Sequence, residues 1–147
     1  MSELVAAFSK GCAEIRAALV AFPPHRANTA YRPGSWTRKQ VLGHMLDSAS
    51  NNHQRFVRAA LDGYYSGPGY EQDRWVLLHG YAELPWELLL ARWLSAHLML
   101  EQVVQHIPES RLQAACVVDN AAPVTLQFLI EDYIAHQRHH LAQIILQ

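Results

Sequence analysis

Apolar residues recur at helical spacing along four long segments of the chain, and no stretch sustains the period-two alternation of a sheet strand. From about Ser2 to Phe22 the residues Leu4, Phe8, Ile15, Leu19 and Phe22 share one stripe, which Pro23 and Pro24 cannot continue. The run "SWTRKQVLGHM" opens a second helix, with Thr37 as N-cap and Gln40 as its capping-box partner. Trp36 and Val41 stand in the places of a hydrophobic staple. This helix is predicted to reach about Leu61, where "DGYYSGPG" supplies turn chemistry. A third runs from near Pro85 to about Ile107, its stripe of Trp86, Leu90, Trp93, His97, Leu100, Val104 and Ile107 alternating fours and threes as bundle packing requires. His97 is the one polar member of that stripe. A fourth runs from about Thr125 to the end.

Two connections stand out. Residues 62–83 form a long irregular stretch with room for one short helix around "EQDRWVLL". A connection of that length in a compact domain is usually functional or covers something. The stretch "ESRLQAACVVDNAAPV" is turn-like and has room for a small hairpin. Together the elements predict an all-α four-helix bundle, with residues 1–147 as a single domain.

Composition narrows the function classes. A chain of 147 residues, half of them hydrophobic and 17% charged, can bury a core without disulfides or a structural metal. The formal net charge of -1 gives no footing for nucleic acid or for an anionic membrane surface. Cys12 and Cys116 fit no disulfide framework or CxxC motif. The opening "MSELVAAFSKGCAEIR" lacks the uninterrupted apolar region of a signal peptide. No stretch approaches the roughly 20 apolar residues of a membrane span. A cytoplasmic location follows as the expectation.

The candidate chemistry is carried by histidines. In "AHQRHHLAQIILQ", a rotation of about 100° per residue stacks His136 and His140 on one face of the last helix, where two imidazoles can share a divalent ion. His136 with His139 is an alternative pair. By itself an HxxxH pair near a C-terminus is more often a solvated or helix-end feature, because cationic histidines also suit that end of a helix. A third ligand is needed. On the second helix His44 borders the apolar positions Val41, Leu42 and Met45, and its face continues through Asp47, Ser48, Asn51 and Arg55. If that polar stripe is buried it demands hydrogen bonds or a ligand. If instead it faces water, Leu46, Ala49 and Phe56 face the core. His53 lies on the opposite side. Three histidines would leave a coordination position open, which is the catalytic pattern, but imidazoles suit zinc, nickel, iron or copper alike.

The run "SWTRKQVLGHMLDSASNNHQRF" resembles the first signature of the DinB/YfiT-like superfamily, and "YIAHQRHHLAQI" resembles its second. "YEQDRW" and His97 are similar to the YfiT-type branch, so the resemblance covers nearly the whole chain. It implies a four-helix bundle with a long crossover connection and a divalent metal, zinc or nickel, held by three histidines. Carried over by position, these are His44, His136 and His140, with His139 as a non-ligating neighbour. It also implies a homodimer and a small-molecule substrate. The family includes enzymes that transfer low-molecular-weight thiols such as bacillithiol, a mycothiol-using maleylpyruvate isomerase, and many members named only as metal-dependent hydrolases.

The expected activity is therefore that of a hydrolase or thiol S-transferase in which the metal activates water or a thiol. Asp47, Asn51, Arg55, His97 and Tyr133 are expected as pocket residues or as supports of the ligands. Arg55 is the candidate for an anionic substrate group. A non-catalytic metal-binding stress or interaction protein is the alternative.

Overall fold

The computed structural model describes residues 2–147. Its helices are α1 (Glu3–Ala21), α2 (Arg38–Asp62), α3 (Gln72–His79), α4 (Trp86–His106) and α5 (Leu126–Ile145). The four long ones form the bundle. Packing runs between α1 and α4, α1 and α5, α2 and α4, and α2 and α5. Helices α1 and α2 therefore face each other across one diagonal and α4 and α5 across the other, so the long connections must cross the ends of the bundle.

Local signals set the helix ends. Thr37 Oγ1 accepts the Gln40 N–H at 3.2 Å while Gln40 Oε1 accepts the Thr37 N–H at 2.9 Å, closing the expected capping box. At the other end of α2, Gly63 takes a left-handed φ of 76°, and its N–H donates to the Ala59 carbonyl. Helix α4 starts one residue later than expected, with Pro85 as its cap. Its buried stripe passes through Leu89, and Leu90 is only half-buried. The reason is phase: from Trp86 the spacing opens with three residues, not four.

The core contains Phe8, Ile15 and Leu19 of α1, Leu42, Met45 and Phe56 of α2, Trp93 and Leu100 of α4, and Ile130 and Ile144 of α5. Helix α2 is enclosed on nearly every side from Arg38 to Ala49. Its polar and its apolar faces are thus both enclosed. His44, Asp47, Ser48 and Arg55 are buried, and so are Leu46, Ala49 and Phe56.

A three-stranded sheet was not expected from the sequence. Strand β1 (Tyr64–Gly67) pairs in parallel with β2 (Ala115–Val118), and β2 pairs antiparallel with β3 (Val124–Thr125). Only the β2–β3 hairpin was foreshadowed. Strands of four and two residues are too short for alternation to be read, and the parallel pairing joins distant segments. The sheet ties the two long connections together, and Asp119 Oδ1 accepts the Gly69 N–H at 2.7 Å. It thereby fixes the segment that carries Tyr70 over α2. Among the described residues no helix is long and apolar enough to cross a membrane.

Candidate metal centre

His44 of α2 meets His136 and His140 of α5 where these two helices pack together. One nitrogen from each ring lies within 4.8 Å of the others. His140 Nε2 is 2.9 Å from His136 Nε2, which is 3.5 Å from His44 Nε2. Zinc bonds of roughly 2.0–2.1 Å in tetrahedral geometry place two ligand nitrogens about 3.3 Å apart, so the cluster has the right dimension for one ion. His139 is exposed, and its ring packs beside His140 outside the cluster.

Burial holds the three rings neutral. It lowers the His44 pKa to about 3, with the neighbouring His140 and His136 adding to the effect. It lowers His140 to about 4, against a hydrogen bond to Gln143 that favours the charged ring. It lowers His136 as well, partly opposed by Asp132. Neutral imidazole is the form that donates a lone pair to a metal. His140 Nδ1–H donates to Gln143 Oε1 at 2.8 Å, which leaves Nε2 bare and turned to the other rings. His44 Nδ1 is buried and finds no partner.

Aromatic rings cover the cluster. Trp36 lies 5.2 Å from the His44 ring between centroids, and Tyr70 lies 6.4 Å away on the segment after β1. Burial raises the Tyr70 pKa, against a hydrogen bond to Ser48. Beyond Tyr70 an open groove of about 930 Å³ runs past Trp75, Arg74 and Asp119.

The other five expected residues do not bond to His44, His136 or His140. Asp47 Oδ1 accepts from the Tyr81 hydroxyl at 2.6 Å and lies 3.0 Å from His79 Nδ1, while its Oδ2 is buried without a partner. Burial raises the Asp47 pKa, countered by Tyr81 and His79. Asn51 donates to the Asp47 carbonyl of its own helix. Arg55 is buried, donates to the Pro68 carbonyl at 3.3 Å, and pairs with no carboxylate among the described residues. His97 and Tyr133 bond to each other at 2.7 Å inside the core. Sequence reasoning missed Tyr70, Gln143 and Gln137. Both glutamines lie on the helical face of their histidines, a signal that was there to read. Tyr70 sits in a loop, where spacing carries no information.

Fold and site together define a helical bundle with a three-imidazole cluster between two of its long helices. Residues 7–144 match the DinB superfamily, and the chain belongs to it. A relative from Geobacillus thermodenitrificans (strain NG80-2), carrying the provisional name metal-dependent hydrolase, is 26% identical over 99% of this chain and 82% of its own. Another, from Bacillus mycoides (strain KBAB4) and similarly named, is 27% identical over 89% of this chain and 75% of its own. Among solved structures, YfiT from Bacillus subtilis is described as a probable metal-dependent hydrolase with an unusual four-helix bundle topology. It superposes with a TM-score of 0.83 at 21% identity, over 98% of this chain and 86% of that one. A mycothiol-dependent maleylpyruvate isomerase gives a TM-score of 0.81 at 11% identity, over 98% of this chain and 60% of that one. At these identities the two structures speak for the fold.

Proposed function

We propose that the protein is a divalent-metal-dependent enzyme in which His44, His136 and His140 hold the ion, acting as a hydrolase or a low-molecular-weight thiol transferase. The convergence of three neutral imidazole nitrogens carries this reading. A bound zinc or nickel ion would supply Lewis acidity, making water or a thiol nucleophilic at neutral pH. Gln143 holds the His140 lone pair toward the cluster, and Trp36 and Tyr70 shield His44 from water. Arg55, about 16 Å along α2 from His44, is buried without a carboxylate partner and is proposed to bind an anionic group of a small-molecule substrate. The relatives named as metal-dependent hydrolases support the hydrolase branch, and the mycothiol-dependent neighbour supports the thiol branch. A homodimer in the cytoplasm is the assembly and location we propose from the family resemblance.

Elemental analysis of the purified chain tests the first step, with about one transition metal per chain expected and His140→Ala expected to lose it. Turnover is then assayed with thiol cofactors and monobromobimane, and separately with a panel of esters and amides. If wild type binds metal but matches His140→Ala on every substrate, the chain is a non-catalytic metal-binding protein. If wild type takes up no metal, both readings fall.

A further inference from the structure

The residue between the two α5 histidines on the buried side of that helix is Gln137, which is fully enclosed. Its Oε1 accepts the Trp93 Nε1–H at 3.0 Å, and its Nε2 donates to the Met45 carbonyl at 3.1 Å. Indole nitrogen is a donor only, so the amide can face just one way, with its NH₂ toward α2. Met45 directly follows His44, and Gln137 directly follows His136. One side chain thus ties the backbone beside one histidine to the backbone beside another, and braces both against α4.

A second link enters one turn earlier. The Tyr133 hydroxyl bonds His97 Nε2 at 2.7 Å, His97 Nδ1 donates to the Trp93 carbonyl at 2.8 Å, and the His97 ring stacks on Trp93 at 3.8 Å. The two α5 members of this network, Tyr133 and Gln137, flank His136. Both sit on the face opposite solvent. A helix free to turn or slide would carry His136 and His140 off His44, since apolar contacts alone define depth and rotation loosely. A hydrogen bond at each end of a rigid amide defines both.

Resting on the metal reading above, we infer that Gln137 is a positioning residue for the histidine cluster, setting the rotation and depth of α5 against α2 so that the three Nε2 atoms meet. Methionine has the same length and keeps the packing but offers Trp93 only a weakly accepting sulfur and has nothing to donate to Met45. The test is Co(II) titration of metal-depleted wild type and Gln137→Met, followed by the visible d–d absorption and by far-UV circular dichroism. Gln137→Met is expected to keep its helical spectrum, to bind Co(II) roughly 10- to 100-fold more weakly, and to show a shifted d–d band. Ile130→Val, a core change on the same helix, is expected to lose stability while keeping the wild-type band. Should Gln137→Met fail to fold, Trp93→Phe removes one of the two bonds and is expected to shift the band in the same direction. A Gln137→Met protein with wild-type affinity and band, or the same shift in Ile130→Val, would overturn the inference while leaving the metal reading intact. A wild type that takes up no Co(II) would overturn both.

Discussion

His97 is held between the Trp93 carbonyl and the Tyr133 hydroxyl with no exposure to water, so its ring must stay uncharged in the folded chain. Burial lowers its pKa from 6.5 to about 4. Folding therefore favours the neutral ring, and the stability this contributes is present above pH 6.5 and lost as the pH falls through 4. The difference corresponds to about 3 kcal/mol at full effect. His44 and His140, lowered to about 3 and about 4, act in the same direction. Urea unfolding of the metal-depleted protein is expected to show stability falling steadily from pH 6.5 to pH 4, with a shallower slope in His97→Gln. Equal slopes in the two proteins would remove His97 from this account. At this scale the sequence showed which histidines share helix faces and marked His97 as the odd polar member of an apolar stripe. That His97 bonds to Tyr133 instead of the cluster depended on how α4 meets α5, which no spacing within one helix encodes.

Helix α2 brings His44 to the cluster from a stretch that is enclosed and yet polar along one face. Its close packing depends on Gly43, where a Cβ would stand 2.1 Å from the Tyr81 ring. That ring lies flat against the helix and reaches Asp47 with its hydroxyl. Gly43→Ala must displace Tyr81, and thermal unfolding is expected to show a loss of about 1–3 kcal/mol, the usual cost of overpacking a core. A mutant as stable as wild type would mean that Tyr81 yields freely. The helices were legible because each has a long apolar period and, for α2, a complete capping box. Beyond the local β2–β3 hairpin the sheet was not, because the β1–β2 pairing joins segments about fifty residues apart. They still matter to the site, since they hold the loop from which Tyr70 covers His44.

The whole molecule does not need an ion to fold, because its apolar core spans all four long helices. Under the proposed function, a chelator is expected to leave the helical spectrum intact and to lower the melting temperature. With free metal at a hundredfold excess over its dissociation constant, the bound form gains about 2.7 kcal/mol. For a chain of this size that corresponds to a shift of roughly 5–10 °C in differential scanning calorimetry. Loss of all helical signal on chelation would instead make the ion structural. The sequence by itself determined the number and ends of the long helices and the HxxxH pair on the last of them, because periodicity and capping are local properties; joining His44 to that pair took the resemblance to the family as well. Only the tertiary structure decided that α2 is buried on both its polar and apolar faces, that α5 lies against it in the register that brings three nitrogens together, that Gln137 bonds across to α2 and α4, and that Tyr70 covers His44. Those depend on how elements far apart in the chain meet, which interhelical packing and the hydrogen bonds across it set.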